Sequence, residues 1–282
     1  MRRRGERSSH PHAISRRTVL RSAVAVAVGV AGGAGAYGLL YERHHIGVTR
    51  ATVPMRGLPP SLHGLTIGLL TDVHHSDWTS ADDVLAAVAA LQGSQPDLIV
   101  LGGDFVTWGD RGFVAPAAEL LGTLTAPHGV FAVLGNHDDD HDMPAALSAR
   151  GIQVLKDART KIRIKGEALE LAGLRFWTRR SADIARVVRG ASAPVILLAH
   201  DPRRLTEAAA LNVPLVLSGH THGGQVALPG SRAFIARRFP VLEGLATEGP
   251  TTLFVSRGLG TVWVPVRLNC PPEVALLTLT PA

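Results

Sequence analysis

The chain of 282 residues holds a single cysteine, Cys270. That scarcity rules out an intramolecular disulfide framework and any Cys-rich zinc or iron–sulfur site. Cys270 is expected to be a small buried apolar residue rather than a nucleophile. No internal repeat is visible. An excess of charge is also missing from most of the chain. The full sequence is formally +6 with a pI near 10.4, which first suggests an acidic partner such as nucleic acid. However, nine of the 29 Lys and Arg, against two of the 23 acids, fall in residues 1–50. Residues 51–282 keep 20 basic and 21 acidic side chains, a net of −1, so no specific nucleic-acid partner is predicted. With 46% hydrophobic and 18% charged residues, the chain can bury a sizeable core and does not read as disordered.

A long apolar run is present once. Ser15-Arg16-Arg17-Thr18-Val19-Leu20-Arg21 precedes an uncharged, Ala-, Val- and Gly-rich stretch from Ser22 to Tyr41, closed by Glu42-Arg43. A charged region, an apolar region and small residues together describe an export signal. The paired arginines resemble the twin-arginine signal, which would make the export machinery a partner and place the protein outside the cytoplasmic membrane. Ala34-Gly35-Ala36 has the form of a cleavage site. The competing reading is an uncleaved anchor, since about 20 residues at 1.5 Å each reach roughly 30 Å. A basic tail carrying an Ala-rich helix is the plain alternative. Residues 1–50 are thus a signal or anchor plus linker, and residues 51–282 the functional domain.

Within the body, His44–Pro60 reads as a connector with a short strand, punctuated by Pro54, Pro59 and Pro60. Strands are predicted over 66–71, 98–101 and 130–134, with helices over 80–92, capped by Ser80, and 115–124. The second half suggests shorter strands over 152–155, 160–164, 168–174, 195–199, 213–217, 252–256, 261–266 and 274–279, with few long helices between them. Two β-rich halves, each with helices, fit a sandwich of two sheets.

Five apolar runs end abruptly in metal-ligand residue types: Leu69-Leu70-Thr71-Asp72-Val73-His74, Leu101-Gly102-Gly103-Asp104, Leu134-Gly135-Asn136-His137-Asp138, Ile196-Leu197-Leu198-Ala199-His200 and Leu217-Ser218-Gly219-His220-Thr221-His222. Open α/β sheets place ligands at strand C-terminal ends. Carboxylate, amide oxygen and imidazole without thiolate suit divalent Mn, Fe or Zn. Two such ions about 3.5–4 Å apart can clamp both oxygens of a phosphoryl displacement.

The ordered pattern Asp-x-His, Gly-Asp, Gly-Asn-His-Asp, His, Gly-His-x-His resembles the calcineurin-like metallophosphoesterase family, over nearly all of residues 62–280. Gly223-Gly224-Gln225, Arg257-Gly258-Leu259-Gly260 and Pro271-Pro272-Glu273 look like its export-signal-bearing bacterial branch, similar to UDP-2,3-diacylglucosamine pyrophosphatases. The resemblance implies an α/β fold: a four-layer α-β-β-α sandwich of two mixed sheets. It implies one divalent ion held by Asp72, His74, Asp104 and His222, and a second held by Asp104, Asn136, His200 and His220. A bridging hydroxide would attack a phosphoester or pyrophosphate. His137 would donate a proton to the leaving group, with Asp138 orienting its ring. A non-catalytic metal-binding scaffold of the same fold is the alternative, and retention of His137 and Asp104 favours the enzyme.

Around the motifs, His75 is expected to face away from His74 and to support it or meet substrate. Asp139, Asp140, His141 and Asp142 read as a solvated loop, with extra metal binding the minor reading. Trp78 and Trp108 either line the cleft or belong to the core. Leu228–Pro250, with Phe234, Ile235, Arg237, Arg238 and Phe239, is either a structural excursion or an apolar, basic loop suited to a lipid-linked substrate at a membrane surface.

Overall fold

The structure is a computed structural model and describes residues 16–228, 230–231, 235–239 and 241–282. Phe234 and Ser15 lie outside the described residues.

Two six-stranded mixed sheets form the body. The first contains β1 (Gly47–Met55), β2 (Thr66–Leu70), β3 (Leu98–Leu101), β4 (Val130–Ala132), β5 (Gln153–Val154) and β12 (Glu273–Pro281), in the order β1-β12-β2-β3-β4-β5. Strands β2 to β5 run parallel, and β12 pairs antiparallel to β2 with Ala275 opposite Leu69. The second contains β6 (Ala158–Ile164), β7 (Glu167–Gly173), β8 (Val195–Leu198), β9 (Leu215–Ser218), β10 (Gly244–Glu248) and β11 (Thr251–Val255), in the order β10-β11-β9-β8-β7-β6.

Side-chain alternation builds the layers. Ile67, Leu69, Leu98 and Val100 point inward to meet Leu169, Leu171, Ile196, Leu198, Leu215 and Leu217 of the other sheet. Their neighbours Leu70, Ile99 and Leu101 point outward, against α2 (Ala81–Gly93), α3 (Val114–Leu121) and α4 (Asp142–Ala149). On the far side, Ala172, Leu197, Val216 and Val255 meet α5 (Ser181–Val188) and α6 (Leu205–Ala210). The result is the expected α-β-β-α sandwich. Each fully buried Leu or Ile contributes about 1.5–3 kcal/mol relative to exposure.

Ser80 caps α2 as anticipated. Its hydroxyl accepts the Asp83 N–H (3.2 Å) while the Asp83 carboxylate accepts the Ser80 N–H (3.1 Å), a reciprocal capping box.

Several expectations are corrected. The connector at 44–60 contains a full nine-residue strand, β1, which starts before residue 51. Pro54 is tolerated there because β1 is an edge strand. Helices α4, α5 and α6 have only eight, eight and six residues, too short for a readable apolar period. Residues 261–266 form an irregular loop rather than a strand. The Gln225 side chain takes the Val262 N–H and the carbonyls of Val262 and Val264 (2.9–3.1 Å), the groups a strand partner would use. Strand β10 lies within the Leu228–Pro250 segment.

Preceding the body, α1 (Arg16–Leu40) leads through a short turn into β1. Among the described residues, the segment Leu20–His44 is the one helical stretch long and apolar enough to cross a membrane, by length and composition.

Candidate metal centre

Loops at the C-terminal ends of β2, β3, β4, β8 and β9 converge where the two sheets meet. Three groups form there, each with ligand atoms within 4.8 Å of one another: Asp72, His74 and His222; His74, Asp104 and His137; and Asp104, His200 and His220. Asp104 Oδ2 lies 3.1 Å from His200 Nε2 and 3.5 Å from His74 Nε2, while Asp72 Oδ1 lies 3.4 Å from His222 Nε2. Six of the seven candidate ligands are therefore shown clustered; the seventh, Asn136, follows Gly135, which lies against the Asp104 carboxylate.

The backbone is distorted to make this arrangement. Asp72, His74, Asp104, His220 and His222 all adopt positive φ, between 47° and 73°. Such conformations cost of order 1–3 kcal/mol each for non-glycine residues and persist where the surroundings over-determine them. Here the Asp72, His74 and His75 N–H groups are fixed by the carbonyls of Gly103, Asp104 and Phe105 (2.8–2.9 Å). A Cβ at Gly135 would overlap the Asp104 carboxylate, and one at Gly219 would overlap that of Asp72, which explains glycine beside both motifs.

Partners on the outer ring nitrogens aim three imidazoles. His200 Nδ1 bonds the Gly102 carbonyl (2.8 Å), His74 Nδ1 the Thr107 hydroxyl (3.2 Å) and His222 Nδ1 the Gly260 carbonyl (3.3 Å). Each leaves Nε2 for the cluster, as metal-bound histidines require. His220 turns Nδ1 inward, 3.2 Å from His200 Nε2.

The electrostatics call for a cation. Burial pushes His74 down to about 3 and His220 down to about 4, so both rings are neutral donors. His222 is likewise held well below its ordinary value, by burial and then by Arg267. Burial opposes charge on His200 too, but Asp104 and Asp72 outweigh it and raise the ring to about 10. Asp104 is held below its ordinary value by His200 and His74 in spite of burial. Two orphaned polar atoms complete the picture: His74 Nε2 and Asn136 Oδ1 are buried without a hydrogen-bond partner. Unpaired buried acceptors beside two carboxylates fit divalent cations.

The relation between His137 and Asp138 differs from expectation. Asp138 does not orient the ring. Its carboxylate accepts the N–H groups of Asp104 (2.8 Å), Phe105 (2.8 Å) and Gly135 (2.9 Å), clamping the β3 loop to the β4 loop. Burial and then the Asp104 charge push Asp138 up to about 7. His137 is oriented instead by the Trp108 N–H, which donates to Nδ1 (2.9 Å). A neutral ring so held carries its proton on Nε2.

His75 faces away from the cluster. It bonds the Thr79 carbonyl (2.9 Å) and packs on Phe113, so its role is structural and not substrate-facing. In the acidic segment, Asp139 caps the start of α4, and Asp140 and Asp142 pair with Arg175 and Arg111. Trp78 and Trp108 line a groove of about 500 Å³, and Trp108 touches His137 (4.4 Å). A second groove of about 400 Å³ opens at His220 and His222 and is lined by Val226, Ile235, Phe239, Val262 and Val264. Cys270 is fully buried, its thiol on the His222 carbonyl. Sequence reasoning missed Arg267, also fully buried, which donates to the carbonyls of Arg257, Gly258, Gly260 and Cys270 (2.7–3.1 Å). A lone arginine outside any motif carries no signal of such a role.

Comparisons with known proteins agree with this geometry. The calcineurin-like phosphoesterase family profile matches residues 65–224. The chain is 31% identical to an uncharacterized metallophosphoesterase, YkuE, of Bacillus subtilis, covering 94% of this chain and 98% of that protein. It is 30% identical to the phosphodiesterase YaeI of Escherichia coli, covering 74% and 80%. A transmembrane protein with metallophosphoesterase domain from Bos taurus is 30% identical over 95% of this chain but only 64% of its own length. The NAD nucleotidase of Haemophilus influenzae shares the fold, with a TM-score of 0.50 at 16% identity over 69% of this chain and 45% of that one. With five motif segments gathered at one seam and the profile covering more than half its length, the chain belongs to the calcineurin-like phosphoesterase family.

Proposed function

We propose that this metallophosphoesterase is an exported two-metal hydrolase that cleaves phosphoester bonds, with a diester as the first substrate class to test. The observation that carries the reading is the cluster itself: two carboxylates and five imidazoles in three overlapping groups, with orphaned acceptors on His74 and Asn136.

In this reading Asp72, His74, Asp104 and His222 hold one ion, and Asp104, Asn136, His200 and His220 the other. Bound divalent ions would lower the pKa of water and offset charge on the phosphate oxygens. The chain's own residues do the rest. Asp104 faces both ligand groups, through His74 at 3.5 Å and His200 at 3.1 Å, and is the natural shared carboxylate. His137, aimed by the Trp108 N–H, would present Nε2–H as a hydrogen bond to the leaving oxygen and so offset the charge developing there. Trp108 packs beside His137 and meets Trp263, their ring centroids 4.6 Å apart, at the edge of the approach. Diester chemistry draws support from the similarity to YaeI, described as a phosphodiesterase. The paired Arg16-Arg17 at the start of the apolar helix α1 supports twin-arginine export, and the apolar groove at His220 supports a lipid-linked substrate at a membrane surface, a pyrophosphate bond included.

The test combines metal analysis with turnover on bis-p-nitrophenyl phosphate in Mn(II). Wild type is expected to bind about two ions and turn over. His137→Ala should keep its metal and lose about 10²–10³-fold in kcat, most with a poor leaving group, on which the most charge develops. Two bound ions with no turnover on any phosphoester would establish the scaffold reading instead. Loss of metal in His137→Ala would make His137 a ligand, which its place beside His74 and Asp104 also permits.

A further inference from the structure

All four tryptophans of the chain are exposed: Trp78, Trp108, Trp177 and Trp263, at 38, 59, 65 and 73%. Each follows a strand C-terminal end, after β2, β3, β7 and β11, so all four lie on the face that carries the metal-ligand cluster. Trp108 packs on His137 and on Trp263, and Trp177 packs on Phe176, which lies 5.2 Å from His220. Large amphipathic rings are costly to leave in water and concentrate at membrane–water interfaces.

Helix α1 supplies the second observation. Only 6% of its most apolar window is buried, so the body covers almost none of it. Its last turn, in contrast, is locked onto the rim of the site. The Arg267 N–H donates to the Gly38 carbonyl (3.3 Å), and a Cβ at Gly38 would overlap the Arg267 carbonyl. The buried Glu42 carboxylate accepts the N–H groups of Asn269 (3.0 Å) and Cys270 (2.6 Å). Arg43 spans from the Leu39 carbonyl to that of Trp78 (2.6 and 2.7 Å). Arg267 in turn places its guanidinium 3.5 Å from His222 Nδ1, so one residue separates the helix end from a candidate ligand. Tyr37 and Tyr41 flank this turn, both about half exposed. The apolar helix therefore leaves the body at the tryptophan-bearing rim.

Resting on the phosphoesterase reading, we propose that α1 is retained as a membrane anchor. Its locked last turn sets the mouth of the site on the lipid surface. The substrate is then a phosphoester of a lipid in the protein's own membrane, with its acyl portion in the groove of Val226, Ile235, Phe239, Val262 and Val264.

The test uses the full chain reconstituted in phosphatidylcholine vesicles whose acyl chains are brominated near the glycerol. Tryptophan fluorescence is expected to fall by roughly half, because the rings sit at the interface. A variant carrying Gly38→Leu and an insertion of about 20 Gly/Ser residues between Leu40 and Tyr41 keeps the anchor and frees the body. It should lose the quenching and hydrolyse a p-nitrophenyl ester of phosphatidic acid in its own vesicle about 10-fold more slowly, as the effective concentration drops. Its rate on soluble bis-p-nitrophenyl phosphate should hold. Unquenched wild type, or equal rates of the two chains on the lipid ester, overturns the proposal. Quenching without hydrolysis of either ester overturns the hydrolase reading and the substrate, and leaves the docked orientation standing.

Discussion

The first sheet delivers both carboxylates, Asp72 and Asp104, together with His74 and His137, whereas the second delivers imidazoles alone, from His200, His220 and His222. The negative charge of the centre therefore sits on one sheet and its neutral donors on the other. Hydrogen bonds already cross the seam, among them the His220 N–H to the Asp72 carboxylate (3.0 Å) and His200 Nδ1 to the Gly102 carbonyl (2.8 Å). His200, drawn up to about 10 by Asp104 and Asp72, shows the demand of the first half for positive charge. A metal ion would satisfy that demand and tie the sheets together. The centre is thus a product of sheet packing and not of either half alone.

The largest effect should come from breaking the shared carboxylate. Asp104→Ala is expected to lose metal from both positions and at least ~10³ in kcat, equivalent to about 4 kcal/mol of transition-state stabilisation. His220→Ala, on the imidazole side, should lose mainly one ion. Metal analysis beside kinetics decides the point, and one full ion retained in Asp104→Ala would dissolve the contrast between the halves.

A middle-sized effect should come from the Asp138 clamp of the first half. Asp138→Ala leaves three backbone N–H groups without their acceptor and should cost about 2–4 kcal/mol in urea unfolding. A midpoint unchanged from wild type would show that water replaces the carboxylate and that the clamp is dispensable.

The smallest effect belongs to the second half, far from the centre. Burial alone would raise the Glu170 pKa, but the Ser192 N–H and hydroxyl, then Arg159 (2.6 Å), hold it below its ordinary value. A carboxylate depressed by folding stabilises the fold above its unfolded value, and that contribution disappears as pH falls through the folded-state value. Glu170→Gln should therefore cost about 1 kcal/mol at pH 7 and converge on wild type in acid. Parallel stability curves for the two proteins from neutral to acid would exclude the ion pair as a source of stability.

Much of this was readable in advance where one residue type answers to one physical need. Ser80 before an apolar helix, Gly135 and Gly219 beside ligand carboxylates, and short apolar runs ending in Asp or His all declare themselves locally. The 261–266 loop did not. Its composition suits a strand, and only the Gln225 side chain, brought from 37 residues away, removes the partners a strand would need. The Asp138 reading failed for a similar reason. Adjacency to His137 suggested a ring partner, while the folded loops offered three N–H groups at better geometry.

By itself the sequence determined the family pattern, the donor chemistry, the α/β class and the apolar leader helix, because each depends on residue type and short-range spacing. Tertiary structure alone decided which nitrogen of each histidine faces the centre, that Trp108 holds His137, that Arg267 lies fully buried behind His222, and that α1 ends against the rim of the site. Those features join residues as far apart as Glu42 and Cys270, and no local pattern encodes them. They arise when two sheets pack and every buried polar group must find a partner.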